Sequence, residues 1–432
     1  MGNPQRETVE NALDLEQPVS YRWIICGLLF VATTINYVDR QVLGILAPTL
    51  QRELRWTEAD YGDIVSWFSF AYAFGFLVAG RAIDWIGVRR GLAAAVVAWS
   101  AAAIGTAFAR TAAGFSFARA MLGASESAIF PGSIKTIAEW FPQKERALAT
   151  GIFNAGTNMG AILTPLLVPW IALTWGWQWA FVATGALGFL WLLLWIPLYR
   201  SPDQTVGGVA VGNAGAASGD GPVARAPWIS LFGYRQTWAF IVGKLMADPV
   251  WWFYLYWLPK FLDAKYGVKL AQVAAPIIVV YVIADIGSVG GGWISSALIK
   301  RGWSVNRARK STMLAMALLI VPTAFVSRAP GMWAAVLIVG VAAAAHQAWS
   351  ANVYTLASDM FPKSAVGSVV GIGAFAGAMG GVVFQRVTGR VLQANGSDYA
   401  PIFVVCGLAY VTAWVIIHLL APRLEPARLA TR

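Results

Sequence analysis

Histidine, cysteine and charged side chains are all scarce in this chain. Its 432 residues include two histidines and two cysteines, too few for a disulfide framework or a structural zinc site. Charged residues make up 12% of the sequence, about half of the share typical of soluble domains. The sequence contains neither a Gly-x-Ser-x-Gly elbow nor a Gly-x-x-x-x-Gly-Lys-Ser/Thr phosphate loop. We therefore expect no enzyme, no cofactor and no metal.

The sequence is dominated by long apolar stretches, which soluble proteins lack. Hydrophobic residues make up 58% of the chain, and many runs exceed the ~20 residues that cross a bilayer. The first twenty residues are charged and lack an apolar core, which is typical of a solvated tail rather than a signal peptide. We predict an all-α membrane protein with twelve spans near residues 21–47, 61–80, 91–109, 113–138, 147–171, 177–199, 236–261, 271–299, 311–327, 331–356, 366–389 and 399–421.

A stretch rich in Gly, Ala and Ser separates spans 6 and 7 and is typical of a flexible linker. The predicted parts are a tail (1–20), a six-helix bundle (21–199), a linker (200–235), a second six-helix bundle (236–421) and a short tail (422–432). Connections on the side of the tails and linker hold about twice as many Lys and Arg as the opposite connections. We expect that side to be cytoplasmic. The net charge of +11 then reflects topology, and we expect no nucleic-acid partner.

The two halves are related in sequence. The segments "EWFPQKERALATGIFNAGTNMG" from Glu139 and "DMFPKSAVGSVVGIGAFAGAMG" from Asp359 align without gaps. Duplicated halves that rock about a central site are typical of secondary transporters. A second repeated element, "GRAIDWIGVRR", follows span 2 and has a degenerate counterpart, "GGWISSALIKRG", after span 8.

The first copy of this loop resembles the loop signature of the major facilitator superfamily. Its matching residues are Gly80, Asp84, Gly87, Arg89 and Arg90. The resemblance implies that the loop holds the two halves together in one conformation and does not bind substrate. Ser296 stands where the second copy would have Asp, so we expect a weaker contact there.

Within the superfamily, the chain resembles the anion:cation symporter family, whose members transport organic anions. The resemblance rests on "NYVDR", "SFAYAFG", "RAMLGASESAIFPG", "EWFPQKERALATGIFN", "DPVWWFYLYWLPKFL" and "AHQAWSANVYTLASDMFPKSAVGSVVGI", and is greatest to hexuronate transporters. It implies a proton-coupled symporter in the bacterial inner membrane that imports a hexuronate by alternating access. The alternatives are a transporter of an aldonate, aldarate or simple carboxylate, and a receptor on the same fold. The expected partners are the organic anion, protons and lipid, and we expect a monomer.

Two adjacent charges, Asp39 and Arg40, interrupt the first span. They lie about 100° apart around a helix, so they point in different directions and need not neutralise each other. Charges inside a membrane are costly and usually functional. The planar guanidinium of Arg40 can bind a carboxylate through two parallel hydrogen bonds, whereas Asp39 can lose and regain a proton. The alternative is two structural charges satisfied by neighbouring helices.

Arg119 and Glu126 form a second charged pair, seven residues apart on one face of span 4. A rise of about 10.5 Å separates them, so we expect their partners on other helices. The resemblance implies that Glu126 is a protonation site and that Arg119 belongs to its charge network. The alternative is a static ion pair.

Polar and aromatic side chains of other spans are candidates for binding substrate hydroxyls. The resemblance assigns Tyr37 and Tyr72 to the substrate site. The gap-free alignment places His346 opposite Glu126, so we predict that the two face each other across a central cavity. The remaining candidates are Asn154, Thr157 and Asn158 in span 5, Trp252 and Tyr256 in span 7, and Gln347 and Asn352 in span 10. The alternative is a role in helix packing or, for Trp252 and Tyr256, in an interfacial aromatic belt.

Span 7 has two further features. Pro249 and Pro259 predict a break in the helix, and with it a gate. Lys244 and Asp248 lie four residues apart and are predicted to form a local ion pair.

Overall fold

The computed structural model describes residues 19–141, 143–200 and 228–427, which are largely helical and form no strand. Most of the predicted tails and linker (1–18, 201–227 and 428–432) lies outside the described residues. The long helices are α1 (Val19–Leu54), α2 (Glu58–Ile86), α3 (Val88–Thr106), α4a (Ala112–Glu126), α4b (Ile129–Trp140), α5 (Gln143–Trp175), α6 (Trp177–Leu198), α7 (Arg235–Tyr266), α8 (Ala274–Lys300), α9 (Val305–Ile320), α10 (Met332–Met360), α11 (Lys363–Ala394) and α12 (Ala400–Leu420). Short helical turns cover Trp228–Leu231, Leu270–Gln272 and Val321–Arg328.

All twelve predicted spans fall on these helices, which confirms the all-α class. Within the described ranges, ten helices are long and apolar enough to cross a membrane. The fourth span does not qualify because it is divided into α4a and α4b. The seventh, α7, carries charged and aromatic side chains that lower its hydropathy.

Helix 4 is interrupted directly after Glu126. Proline has no backbone N–H, so Pro131 cannot donate to the carbonyl of Ser127 four residues earlier. The helix therefore ends at Glu126 and starts again at Ile129. The break places the Glu126 carboxylate at the C-terminal end of α4a.

The predicted break in α7 is wrong, because the helix is continuous through Pro249 and Pro259. Each proline leaves one carbonyl, four residues earlier, without its helical donor. A glycine of a neighbouring helix lies against each of these carbonyls. A Cβ on Gly380 of α11 would be 2.7 Å from the Leu245 oxygen, and one on Gly44 of α1 would be 2.9 Å from the Leu255 oxygen. Neighbouring helices therefore pack closely against both proline sites.

The sequence repeat is also a structural repeat. Phe141 ends α4b and Phe361 ends α10, both in extended conformation. The Phe141 N–H donates to Ile137 at 2.9 Å, and the Phe361 N–H donates to Ala357 at 3.1 Å. Both phenylalanines therefore cap the equivalent helix end in the two halves.

The halves meet where α2 packs on α11, α1 on α7, and α5 on α8. Ion pairs join them at the end where α1 stops and α2 begins. There Lys260 Nζ lies 2.5 Å from Glu58 Oε2, and Arg386 Nε lies 3.1 Å from Asp63 Oδ1. Arg52 adds a third ion pair between the halves. We refer to this region as the closed end.

The opposite end, where the described residues begin at Val19 and end at Ala427, is more open. Gly80 on α2, Gly151 on α5 and Gly371 on α11 lie toward it. A Cβ added to any of these glycines would have no neighbouring atom within 4 Å. The ion pairs between the halves that the described residues form thus lie at the closed end, whereas these three glycines have open space beside them.

Candidate functional site

Arg40 and Glu126 form a buried ion pair between α1 and α4a. The guanidinium donates from Nη2 and Nε to the same carboxylate oxygen, Glu126 Oε2, at 3.0 and 3.2 Å. The side chains are 5% and 0% exposed. Nη2 also lies 3.4 Å from Asn36 Oδ1, one helical turn away. A buried charge is costly unless it is paired, so the contact neutralises the charges of both residues in this conformation.

Four aromatic rings surround the Arg40 guanidinium. Its Cζ lies 4.8–5.6 Å from the ring centroids of Tyr72, Tyr37, Phe68 and Trp252. The first three rings belong to the N-terminal half, whereas Trp252 comes from α7 in the C-terminal half. Tyr256 closes the box from α7, with its ring 6.0 Å from that of Trp252. Since a planar cation is attracted to aromatic faces, the box holds the guanidinium at the interface between the halves.

Arg119 and Asp39 lie behind this box. Arg119 does not contact Glu126 through any hydrogen bond; its guanidinium donates to the carbonyls of Asp39 at 3.2 Å and Arg40 at 2.9 Å on α1. Both Asp39 carboxylate oxygens are buried, and neither has a hydrogen-bond donor among the described residues. The hydroxyl of Thr184 on α6 is a neighbour of this carboxylate. Asp39 is therefore turned away from Arg40, as predicted.

The polar residues of α5 differ in their exposure. Asn154 is exposed, Asn158 is half-buried and Thr157 is buried. The Thr157 hydroxyl donates to the Asn154 carbonyl at 2.8 Å. A Cβ on Gly160 would lie 2.7 Å from the Cβ of Tyr37, so Gly160 packs against α1 beside the aromatic box, whereas Asn154 and Asn158 lie on other faces of α5.

The predicted ion pair on α7 is present. Lys244 Nζ lies 2.9 Å from Asp248 Oδ1 and donates to the Tyr354 hydroxyl at 3.1 Å. Gly373 and Gly377 of α11 lie against these two side chains. The small-residue face of α11 thus lets a charged cluster approach the helix.

The residues predicted on α10 have different surroundings. His346 is 4% exposed, its Nδ1 lies 2.6 Å from the Tyr410 hydroxyl on α12, and its ring stacks on Trp251 at 5.0 Å. Asn352 donates to the Gly291 carbonyl on α8 at 3.2 Å, and Gln347 is half-buried. These contacts join helices of the C-terminal half. A substrate role for the three residues stays a prediction.

The loop between α2 and α3 contacts its own half. Gly87 separates the two helices with φ of 85°, a conformation that favours glycine. Arg89 donates to the Ile196 carbonyl at the end of α6 at 2.6 Å, and Arg90 is exposed. Gly80 has open space beside it. The Asp84 side chain lies outside the described residues.

Phe68 and Tyr354 are two site residues that sequence reasoning missed. The ring of Phe68 lies under both Arg40 and Arg119, 5.0 and 5.1 Å from their Cζ atoms. Phe68 precedes Tyr72 by four residues, which places both on one helix face, so the spacing was a usable signal. No spacing rule connects Tyr354 on α10 to Lys244 on α7.

Comparisons with known proteins agree with this architecture. Residues 29–385 match the family profile of the Major Facilitator Superfamily. The chain belongs to this superfamily. It is therefore a multi-pass membrane transporter rather than an enzyme, and the predicted superfamily is confirmed.

Individual members of the superfamily are similar over most of the chain. The hexuronate transporter of Escherichia coli (strain K12) is 29% identical over 414 residues, which are 92% of this chain and 94% of that protein. The galacturonate transporter of Dickeya chrysanthemi is 31% identical over 314 residues, 69% of this chain and 89% of that protein. The crystal structure of a D-xylose-proton symporter has a TM-score of 0.74 at 18% identity and covers 94% of this chain and 99% of that one. At this low identity, the similarity to the D-xylose-proton symporter shows the fold alone.

Proposed function

We propose that the protein is a proton-coupled symporter that imports a monoanionic sugar acid, with a hexuronate such as galacturonate or glucuronate as the first candidate. The observation that carries the proposal is the Arg40–Glu126 pair, buried in an aromatic box at the interface of the two halves. The similarity to hexuronate and galacturonate transporters supports the substrate class.

The pair suggests how proton and substrate binding are coupled. Glu126 occupies the fork of Arg40 that would otherwise bind a substrate carboxylate bidentately. A proton on Glu126 removes its charge and frees the fork. The substrate carboxylate then replaces Glu126, so the loaded carrier holds one proton and one anion. Asp39, with its two unpartnered oxygens, is the second candidate for a transported proton.

The surroundings of Arg40 are suited to a polyol. Tyr37, Tyr72 and Trp252 present ring faces to the carbon skeleton of a sugar and polar atoms to its hydroxyls. Asn154 and Asn158 on α5 add amides nearby. An aldonate has the same single carboxylate and similar hydroxyls, so these contacts support it as the second candidate substrate.

We further propose that the cycle is alternating access in the inner membrane, with both termini in the cytoplasm. The contacts at the closed end and the open glycine faces toward the termini correspond to an inward-facing carrier. Substrate leaves toward the termini, and the closed end must open before a new substrate binds.

Uptake into proteoliposomes tests this function. The purified full-length protein is reconstituted, and uptake of labelled galacturonate, glucuronate, gluconate and glucose is measured with and without an acid-outside pH gradient. We expect accumulation of at least one sugar acid only with the gradient, and no accumulation of glucose. Equal uptake of glucose would overturn the anion assignment. Uptake that is indifferent to the pH gradient would overturn proton coupling.

A further inference from the structure

The ion pair on α7 belongs to a stripe that leads directly to the substrate box. Lys244, Asp248, Trp252 and Tyr256 follow one another at intervals of four residues, so their side chains lie on one helix face about 6 Å of rise apart. Trp252 is the ring that contacts Arg40. Asp248 therefore lies one turn from that contact, toward the open end.

The pair is a neutral, well-satisfied cluster. The side chains of Lys244 and Asp248 are 6% and 18% exposed, and their charged atoms are 2.9 Å apart. The Tyr354 hydroxyl accepts a hydrogen bond from Lys244, and the ammonium also lies 4.4 Å from the centroid of the tyrosine ring. Lys244 therefore has little free capacity for a third, anionic partner.

Tyr37 links this cluster to Arg40 across the interface of the halves. Its ring lies 4.9 Å from the guanidinium of Arg40. The same phenol is within electrostatic range of Asp248 and Tyr354. The Tyr37 phenol therefore interacts with the Arg40 guanidinium on one side and with the Lys244–Asp248 cluster on the other.

We propose that the Lys244–Asp248 pair is the charge selector of the site: Asp248 neutralises the second cation, so the protein accepts sugar acids with one carboxylate and rejects sugar diacids. This inference rests on the proposed function and names the residues that set its substrate class. Once Glu126 is protonated, the Arg40 guanidinium is free to bind a carboxylate, whereas the Arg119 guanidinium donates to the carbonyls of Asp39 and Arg40. The second carboxylate of a diacid would lie beside Asp248, where like charges repel and water is scarce.

Binding of a monoacid and a diacid of similar shape tests the selector. Dissociation constants of galacturonate and galactarate are measured by calorimetry on the purified full-length protein and on Asp248→Asn. We expect the natural protein to prefer galacturonate at least tenfold. In Asp248→Asn, Lys244 keeps a hydrogen-bond acceptor but loses its counter-charge, so the preference should fall at least tenfold.

The double variant Lys244→Met, Asp248→Asn is the matched control. It removes both charges, so a diacid meets neither a repelling carboxylate nor an unpaired cation, and the preference for galacturonate should lie between that of the natural protein and that of Asp248→Asn. Two results would overturn the proposal and assign the pair to packing. The first is an unchanged preference for galacturonate in Asp248→Asn, and the second is a preference in the double variant that falls as far as it does in Asp248→Asn. If Asp248→Asn does not fold, the natural protein still decides, since equal affinity for galactarate overturns the inference. Binding of neither acid by the natural protein would instead contradict the proposed function.

Discussion

Arg40 and Glu126 meet through a single carboxylate oxygen. Both donors, Nε at 3.2 Å and Nη2 at 3.0 Å, reach Glu126 Oε2, while Oε1 is buried without a partner among the described residues. Only one of the two carboxylate oxygens of Glu126 therefore accepts hydrogen bonds from Arg40. The contact is not the bidentate arrangement, in which each oxygen accepts one hydrogen bond. A substrate carboxylate that accepted both donors on separate oxygens would form the stronger, bidentate arrangement.

This geometry means that Arg40→Lys tests whether Arg40 binds the carboxylate of the substrate. Lysine keeps the positive charge but is a single-point donor without a planar fork, and it stacks less well between aromatic faces. We expect uptake of the sugar acid to fall at least tenfold and its dissociation constant to rise. Arg301→Lys, an exposed position at the end of α8, is the control and should transport normally. Normal uptake by Arg40→Lys would remove Arg40 from substrate binding.

Gly123 is predicted to be required for the contact of α4a with α2. A Cβ there would collide with the backbone oxygen of Phe68 and lie 3.2 Å from the Tyr72 nitrogen. Gly123→Ala should force the helices apart, move Glu126 relative to Arg40 and lower the thermal unfolding temperature by several degrees. Gly105→Ala, whose Cβ has no neighbour within 4 Å, should be neutral or slightly stabilising. Equal unfolding temperatures for the two variants would contradict the packing argument.

The Lys260–Glu58 pair is expected to hold the closed end shut. Lys260 is 4% exposed and lies over the rings of Tyr61 and Trp257. Removing one partner of a buried pair costs roughly 3–5 kcal/mol because a charge is left unpaired. Glu58→Gln should therefore favour the conformation in which this end is open.

Cysteine accessibility measures that shift. Cys26 and Cys406 are replaced by alanine, and Ser69, which is 0% exposed on α2, becomes the single cysteine. A membrane-impermeant maleimide applied at the closed end should label Ser69→Cys several-fold faster with Glu58→Gln. The charge swap Glu58→Lys, Lys260→Glu should return the rate toward the parent. Identical rates in all three proteins would show that the pair does not hold this end closed.

The contacts of His346 predict a structural effect. Tyr410→Phe removes the hydroxyl that lies 2.6 Å from His346 Nδ1 and leaves a buried polar atom unsatisfied, which costs about 1–3 kcal/mol. We expect a lower unfolding temperature and an unchanged dissociation constant for the sugar acid. His346→Ala should show the same pattern. A large loss of affinity in His346→Ala with normal affinity in Tyr410→Phe would instead support a substrate role for the imidazole.

The amino-acid sequence alone was enough to predict the membrane-spanning segments and the principal charged residues of the site, for physical reasons. Apolar length identifies a membrane helix almost without tertiary information. A charge such as Arg40 or Glu126 is conspicuous against an apolar background. The separation of seven residues also favoured partners on other helices over a direct Arg119–Glu126 contact, in agreement with the carbonyl contacts of Arg119.

Contacts between distant helices could not be predicted in the same way. The close approach of Gly380 and Gly44 of other helices to the proline sites of α7 follows from no local rule. The joining role of Asn352 depends on the approach of Gly291, and the pairing of Lys260 with Glu58 depends on how the halves meet. A polar residue in a span therefore indicates a contact, but its partner is set by the three-dimensional packing.

The central claim is that protonation of Glu126 releases Arg40 to the substrate, and Glu126→Gln tests it most directly. Glutamine imitates the protonated acid and cannot lose a proton, so the loaded carrier can cross the membrane but the empty carrier cannot reset. Asp39→Asn should show a similar loss. Glu425→Gln, the same change at a 70% exposed position, should leave both activities intact.

The decisive measurement compares two activities of Glu126→Gln in the same proteoliposomes: accumulation of labelled galacturonate driven by a pH gradient, and exchange of labelled against unlabelled galacturonate without a gradient. We predict that accumulation is lost and that exchange is retained. Accumulation at the level of the natural protein would contradict the coupling role of Glu126, and loss of both activities would identify the Arg40–Glu126 contact as a static ion pair.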